Sequence, residues 1–333
     1  MSQGAKQGGR LLVHLLGWSL GLAALAFILS RVDLGDVASL LRDLRPLPLA
    51  ALCLLVLLVY AVKALRWTII LRGVKPIGFG PVFGYLVAGY FMNSFLPARM
   101  GDLLRLTPLA RRHGIDLGAG VASTVVEKLF DIVSLLLLFL LAALLGAEAL
   151  GIPLWFVAAT ALSGMALLLS MGPLLRLAER RKRSAPTMAS RLGSWIGERA
   201  RTFRGALVSL SPSRLLAVGG VSLVIWLCDA LATAFGLGAL GFGMDWQLAL
   251  VLTLTVALAQ LLPMAPLGLG TVDAVMVATC AAFGLSTESG VALAVLLRLA
   301  SLFVTLAIGI PSFRYALSAS AEKSDLADST PGK

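Results

Sequence analysis

Long uninterrupted apolar runs are the feature that most limits what this chain can fold into. They cover Leu11–Leu29, Pro48–Tyr60, Ile132–Leu145, Leu154–Leu169 and Val251–Leu262. The chain is 59% hydrophobic and 14% charged, whereas a soluble domain carries about 25% charged residues. In lipid every backbone N–H and C=O must be bonded within the protein, and a helix does this locally. The sequence therefore predicts an all-α, polytopic membrane protein.

Positive charge is concentrated in one loop. The net charge of the chain is +11. From Met171 to Arg214, ten Arg and Lys residues stand against two acids, so this stretch, which contains a predicted loop over about 172–213, supplies +8 of it. Such a loop is typical of the cytoplasmic side, so no nucleic-acid partner is expected. Apolar residues among the arginines of 174–207 predict interfacial helices on the anionic cytoplasmic leaflet, with a solvated loop as the alternative.

Flanking charges predict how the chain crosses the membrane. Both termini are expected in the cytoplasm and the protein in the bacterial inner (cytoplasmic) membrane, with residues 315–333 as a disordered tail. Leu11–Leu29 is interpreted as a first transmembrane helix and not as a cleaved signal peptide, because no A-x-A site closes it. The predicted transmembrane helices run over about 11–29, 47–71, 119–145, 152–171, 214–240 and 290–311.

Two further segments, 81–112 and 247–284, must each begin and end on one side of the membrane. Their first apolar pieces, Phe83–Leu96 and Trp246–Leu262, measure roughly 20–25 Å as helices, and the hydrocarbon is about 30 Å thick. We therefore predict two re-entrant helical hairpins that enter from opposite faces. The breaks between their helices are formed by Asn93, Pro97, Gly101, Pro266, Gly268 and Gly270.

The sequence also repeats itself after these breaks. Residues 113–132 align without a gap on 283–302 at an offset of 170, which places Lys128 on Arg298. The identical pairs are Gly114/Gly284, Gly120/Gly290, Val121/Val291, Ala122/Ala292, Val125/Val295 and Leu129/Leu299. Upstream, each break contains Pro-x-x-x-Gly. An internal duplication is predicted.

The single helix 152–171 between the two halves would invert the second half. Repeat 1 covers about 47–145 and repeat 2 about 214–311, within one membrane domain over 1–333. An inverted-topology repeat is the architecture of many transporters, whose substrates bind near the membrane midplane.

Four sequence stretches resemble a known family. "NSFLPARMGDLLR", "VVEKLFD", "LPMAPLGLGTVDA" and a late "LLRL" are similar to the lysylphosphatidylglycerol synthase transmembrane region, a flippase-like integral membrane family. The matching positions are Asn93, Pro97, Arg99, Gly101, Arg105, Glu127, Asp131, Pro266, Gly268, Gly270 and Arg298. The departures are Asp102 and Asp273 in place of glutamate, Lys128 in place of arginine, and Leu267 in place of a glycine.

The resemblance implies lipid translocation or a role beside lipid and glycan assembly. Some members of that family are fused to a soluble aminoacyl-transferase domain, and only a short tail follows residue 311 here, so this enzyme is expected to be absent. Stand-alone members accompany hopanoid and glycolipid pathways, and the chain is similar to those. A lipid or glycan synthase is therefore an expected partner.

Ionisable residues inside a membrane are functional candidates, because inserting them without partners is costly. Glu127 and Asp131 share a helix face, and Lys128 can pair with Asp131. The half-helices after Gly101 and Gly270 would point N-termini, which favour anions, into the membrane. We predict a central charged cavity for a lipid phosphate, with structural ion pairs as the alternative. The candidate substrate-binding residues are Arg99, Asp102, Glu127, Lys128, Asp131, Asp273 and Arg298.

The other basic residues near helix ends receive simpler interpretations. Lys63 and Arg66, with Trp67, are interpreted as snorkelling anchors at the end of the second helix. Arg105, Arg111 and Arg112 are interpreted as positive-inside markers.

Three functions remain open at this stage. The first is a flippase or scramblase for an anionic or prenyl-phosphate-linked lipid. The second is a non-catalytic scaffold of a lipid or glycan synthase, and the third an intramembrane lipid-modifying enzyme. The three cysteines lie in apolar segments and the two histidines are isolated, so neither a metal site nor a cofactor is expected. Without a plausible histidine base or nucleotide loop, we expect no enzyme.

Overall fold

The computed structural model describes residues 32–96, 100–144, 211–260 and 270–328, with a few residues before them. In this part of the chain every regular element is a helix, which confirms the predicted all-α membrane protein. The helices are α1 (Leu34–Arg42), α2 (Pro46–Leu71), α3 (Phe79–Asn93), α4 (Gly101–Leu104), α5 (Leu106–His113), α6 (Leu117–Leu144), α7 (Pro212–Ala239), α8 (Trp246–Ala259), α9 (Thr271–Ala282) and α10 (Thr287–Asp328).

Three described helices are long and apolar enough to cross a membrane. They are α2, α7 and residues Thr287–Leu317 of α10. The 26 residues of α2 extend about 39 Å, which exceeds the hydrocarbon thickness of about 30 Å. Helix α6 is 28 residues long and similarly apolar, apart from three charged residues within about one turn, Glu127, Lys128 and Asp131. The protein is therefore multi-pass.

The predicted helices agree with the observed ones where both are described. The predictions 47–71, 119–145 and 214–240 match α2, α6 and α7 to within two residues at each end. Predictions for 11–29, for 152–171 and for the basic loop with its interfacial segment fall almost wholly outside the described residues.

The C-terminal segment differs from its prediction. Helix α10 does not end near residue 311 but continues to Asp328, so residues 315–328 are helical where a disordered tail was predicted. Pro311 lies inside this helix. The residues from 312 to 328 include four Ala, two Leu, one Glu and one Lys, which are residue types that favour helix.

Short helices flank both predicted breaks. Helices α3 and α8 have 15 and 14 residues, or about 21–23 Å, and both are too short to span the hydrocarbon alone. Residues 97–99 and 261–269 lie outside the described part, so Pro97, Pro266 and Gly268 have no structural account. The re-entrant path of each hairpin remains a prediction.

The contacts of the chain group into two compact units. The first unit comprises Met1–Val59, Val87–Asp102 and Leu227–Phe313, and the second comprises Tyr60–Leu86, Leu103–Trp226 and Arg314–Lys333. Each is described by itself.

In the second unit, α2, α6 and α7 share an apolar core. Ile70, Val126 and Val218 are buried together, and partly buried residues pack around them. Helix α5 lies beside α6, where a Cβ on Gly120 would come within 3.4 Å of Leu106. Residue 127 follows Val126 directly, so this core fixes the position of the next side chain on α6.

In the first unit, small residues bring α7, α8, α9 and α10 together. The hydroxyls of Thr233 and Thr253 lie 3.3 Å apart between α7 and α8. A Cβ on Gly236 would lie 2.9 Å from Leu297, and one on Gly290 would lie 2.9 Å from the Cα of Val277. Close helix approach through small residues is usual in membrane proteins, where dispersion contacts replace the hydrophobic effect.

Gly114 and Gly284, which are aligned with each other in the predicted repeat, both have a positive φ. Gly114 ends α5 with φ of 63°, and Gly284 follows α9 with φ of 79°. Both lie between a short helix and a long one: Gly114 between α5 and α6, and Gly284 between α9 and α10. Left-handed glycines are common helix terminators. The inverted orientation of the two halves remains a prediction.

Candidate functional site

Helix α6 carries two carboxylates one turn apart, and Arg66 of α2 faces both. The Nη1 atom of Arg66 lies 2.5 Å from Asp131 Oδ1 and also donates to the hydroxyl of Ser222 on α7 at 3.0 Å. The Nη2 atom lies 3.9 Å from Glu127 Oε1. Arg66 is only 2% exposed, so its guanidinium is held by three helices inside the second unit.

A second guanidinium reaches Glu127 from the junction of α4 and α5. Arg105 Nη2 lies 2.5 Å from Glu127 Oε2, and Arg105 is 4% exposed. Its guanidinium also lies on the face of Trp67, 4.1 Å from the ring centroid. The Trp67 indole in turn donates to Ser123 on α6 at 3.0 Å. Stacking on an aromatic face and pairing with a carboxylate together fix the plane of a guanidinium.

These side chains form one line of alternating charge. It runs from Arg105 through Glu127, Arg66 and Asp131 to Lys128, whose Nζ lies 3.6 Å from Asp131 Oδ2. We call these five residues the buried ion network. Arg105, Glu127 and Arg66 are nearly inaccessible, the Asp131 side chain is 15% exposed and the Lys128 side chain is 45% exposed. A buried ion pair needs excellent geometry to offset desolvation, and here each inner charge has two opposite neighbours.

The first unit holds a smaller charged group. Arg298 Nη2 on α10 lies 2.8 Å from Asp273 Oδ1 on α9. The other oxygen of Asp273 accepts the Gly270 N–H at 2.9 Å and so caps the start of α9. Gly270 has φ of 82°, which glycine adopts without strain. The Asp273–Arg298 pair therefore combines one ion pair with one helix cap.

Asn93, also in the first unit, hydrogen-bonds the two residues that follow the first break, Gly101 and Asp102. Its Oδ1 accepts the Gly101 N–H at 2.7 Å, and its Nδ2 donates to Asp102 Oδ1 at 3.0 Å. A Cβ on Gly101 would lie 2.1 Å from the carbonyl oxygen of Gly89. Only glycine fits at this position, so α4 begins against the backbone of α3.

A polar contact lies at the predicted cytoplasmic end of α5, in the second unit. Lys75 Nζ donates to the His113 carbonyl at 2.7 Å, and Tyr85 Oη lies 3.2 Å from His113 Nε2. Burial, followed by the charges of Arg112 and Lys75, holds the pKa of His113 below its ordinary 6.5.

The predicted site residues are distributed over both units. Glu127, Lys128 and Asp131 lie together in the buried ion network, and Asp273 contacts Arg298. Asp102 accepts a hydrogen bond from Asn93 Nδ2. Arg99 lies outside the described residues. Whether any of these residues binds substrate remains a prediction.

The interpretations of Arg66, Trp67 and Arg105 were wrong. A snorkelling anchor keeps its polar tip at the interface, yet Arg66 is 2% exposed and Trp67 is fully buried. Arg105 was interpreted as a positive-inside marker, yet it is ion-paired in the interior. Two features of the sequence could have indicated buried positions. Arg66 lies five residues, or about 7.5 Å, before the end of α2, and Arg105 lies at a position that matches the family pattern.

Comparison with known families now identifies the kind of protein. The family described as the lysylphosphatidylglycerol synthase TM region matches residues 14–309. The chain belongs to this family. The match includes all four stretches on which the resemblance depended, so that prediction is confirmed.

Two relatives differ in how much of their length is similar to this chain. A UPF0104 membrane protein of Methanothermobacter thermautotrophicus is 22% identical over 326 residues, which cover 91% of this chain and 96% of that protein. Glycosyltransferase AglD of Haloferax volcanii is 30% identical over 123 residues, which cover 36% of this chain and 19% of that protein. The chain is thus similar to the first relative over nearly the full length of both, and about a third of it is similar to under a fifth of the second.

Proposed function

We propose that this family member moves lipids with an anionic phosphate head group between the leaflets of its membrane. The observation that supports this is the buried ion network. Two arginines stand inside a membrane protein where ionisable residues are rare and usually mark a substrate path. Guanidinium groups bind phosphate through paired N–H donors, which suits them to such head groups.

In this proposal the carboxylates substitute for the substrate when the site is empty. Glu127 and Asp131 neutralise Arg66 and Arg105 at 2.5 Å contacts. An arriving phosphate would exchange with them, so that no guanidinium is ever left buried without an anion. Lys128, as the exposed end of the network, would make the first contact with the head group. The acyl or prenyl tail would stay in lipid.

The Asp273–Arg298 pair is proposed as a second phosphate contact within its own unit. Arg298 is 24% exposed, and the start of α9 adds the positive end of a helix dipole. Asp273 contacts both Arg298 and the Gly270 N–H at the start of α9, and it would have to release both before a phosphate could bind. We propose a non-enzymatic carrier in the cytoplasmic membrane, with both termini in the cytoplasm.

A second candidate is a non-catalytic scaffold beside a lipid- or glycan-synthesising enzyme. The similarity to part of glycosyltransferase AglD supports it, because there a comparable segment belongs to a larger protein. In that case the buried ion network would be structural, and transport would not depend on it.

The test is transbilayer movement of fluorescent phosphatidylglycerol in vesicles that contain the purified chain. A single Arg105 variant would leave Glu127 buried with one partner fewer, so the informative variant is the neutral double Arg105→Gln/Glu127→Gln. The matched control is Arg111→Gln, which removes an exposed cation. We expect the double variant to fold and to lose movement, and the control to retain it.

Two results would contradict the carrier. If folded wild type moves no phosphate lipid, the scaffold becomes the better account. If mass spectrometry shows that the lipid has changed covalently during the assay, an enzyme becomes the better account.

A further inference from the structure

Glu127 contacts both arginines that are proposed to bind the lipid phosphate, so its protonation can be coupled to lipid binding. We infer that Glu127 takes one proton from water when a phosphate head group displaces it from Arg66 and Arg105, and returns the proton when the head group leaves. This inference rests on the proposed function and adds a coupling to it. No bond of the lipid changes; one O–H bond forms on the carboxylate, and the proton comes from the aqueous buffer.

The two oxygens of Glu127 serve different guanidiniums. Oε2 lies 2.5 Å from Arg105 and Oε1 lies 3.9 Å from Arg66. The side chain is 4% exposed, so water cannot replace these partners. In the described part of the chain, the cations that Glu127 contacts are these two arginines. A single phosphate that binds both arginines therefore takes the two cations that Glu127 contacts among the described residues.

The exchange would leave a buried carboxylate beside a new anion. A like charge within a few ångströms and loss of solvent both favour the neutral form of a carboxyl. An isolated ion in a low-dielectric interior is costly, and such groups neutralise instead. A protonated Glu127 could also donate a hydrogen bond to the phosphate. Proton uptake thus removes the main electrostatic obstacle to lipid binding.

Asp131 has a different surrounding and keeps its charge in this scheme. Lys128 lies 3.6 Å from its Oδ2, and Lys63 of α2 also acts on it electrostatically. Its side chain is 15% exposed, so it retains both a cation and some solvent when Arg66 turns to a phosphate. From α7 the network is faced by the neutral Ser222. Glu127 is therefore the residue that needs the proton.

The first experiment is calorimetric titration of the whole purified chain, in detergent, with short-chain phosphatidylglycerol. Two buffers with different ionisation enthalpies give the number of protons bound per lipid. The phosphodiester does not titrate near neutral pH, so any uptake belongs to the protein. We expect about one proton per lipid for the wild type, since one carboxylate changes state.

The variants identify the group that receives the proton. Glu127→Gln cannot be protonated, so its uptake should fall to near zero whatever happens to its affinity. Asp116→Asn makes the same carboxylate-to-amide change at an exposed residue that caps the start of α6, and it should keep the full uptake. Infrared difference spectra give a second readout: the protonated-carboxyl band should appear with lipid in the wild type and Asp116→Asn, but not in Glu127→Gln.

Each outcome decides a different point. Lipid binding without proton uptake overturns this inference and leaves the proposed function standing. Uptake that persists in folded Glu127→Gln overturns it by placing the proton elsewhere. No binding by folded wild type overturns both proposals. If inorganic phosphate alone binds with equal affinity, the site recognises free phosphate and the lipid is not its ligand.

Discussion

The buried ion network and the Asp273–Arg298 pair contain aligned cations but differ in how these cations are paired. The repeat places Lys128 on Arg298, yet Lys128 contacts Asp131 on its own helix, whereas Arg298 contacts Asp273 on the preceding helix. The buried ion network joins five charges, and the Asp273–Arg298 pair joins two. The aligned position thus holds a cation in both segments, while the residue that the cation contacts differs.

This difference gives the two halves separate tasks in our account. The buried ion network has two inaccessible guanidiniums and an exposed end, which suits exchange of a buried anion. The Asp273–Arg298 pair is partly exposed and also caps α9, so much of its role is to hold the helix start. We therefore expect changes in the network to have the larger effects.

The largest expected effect on stability comes from Arg66→Met. Removing it leaves Asp131 and Glu127 with fewer cations in the interior, which should lower the free energy of unfolding by about 3–5 kcal/mol. The double variant Arg66→Met/Asp131→Leu removes both charges and should recover most of the loss. Denaturant unfolding in detergent measures both. A single variant as stable as the wild type would show that the network is not buried as described.

The paired glycines test whether the two halves pack alike. A methyl on Gly290 would meet the Cα of Val277 at 2.9 Å, whereas one on Gly120 would meet the end of Leu106 at 3.4 Å. Backbone cannot give way as a side chain can, so Gly290→Ala should cost about 1–3 kcal/mol and Gly120→Ala less than about 1 kcal/mol. Unfolding midpoints measured side by side check this order, and equal losses would refute it.

A smaller effect is expected from Asp273→Asn. The amide oxygen can still accept from Gly270, but the ion pair with Arg298 is lost. Because Arg298 is 24% exposed, water compensates for part of the loss, and the cost should be about 1 kcal/mol. Asp273→Ala, which also removes the cap, should cost more. If the two variants were equally stable, the cap would contribute nothing.

The smallest effect is a pH dependence from His113. Its pKa lies below 6.5 in the folded chain because of burial and two nearby cations, so the unfolded chain binds more protons between the two pKa values. The free energy of unfolding should therefore rise with pH through that window and level off above about 7. His113→Gln should flatten this part of a thermal unfolding series, and an unchanged slope would assign it to other groups.

Hydropathy predicted the long helices because few backbone structures can satisfy their hydrogen bonds within a membrane. An apolar run such as that of α2 or α7 has one way to satisfy its backbone in lipid, and its length then sets its ends. The spacing of Glu127 and Asp131 likewise placed both carboxylates on one face of α6. These features are local, and a single sequence contains local information.

The partners of those carboxylates could not be predicted in the same way. Arg66 and Arg105 reach α6 from distant segments, and the sequence alone does not say which helices are neighbours. Charge near a helix end suggested the interface for both arginines, while tertiary packing placed them inside. The helical residues beyond Arg314 were missed for another reason: polar residues were taken as disorder, although Ala, Leu, Glu and Lys favour helix.

The most direct test compares the two charged groups in one transport assay. Vesicles would contain the wild type, the network variant Arg105→Gln/Glu127→Gln, or the pair variant Asp273→Asn/Arg298→Gln, each verified as folded. Our account predicts that phosphatidylglycerol movement slows at least about tenfold in the network variant, the rate equivalent of about 1.4 kcal/mol, and by less in the pair variant. Movement at the wild-type rate in the folded network variant would contradict the account.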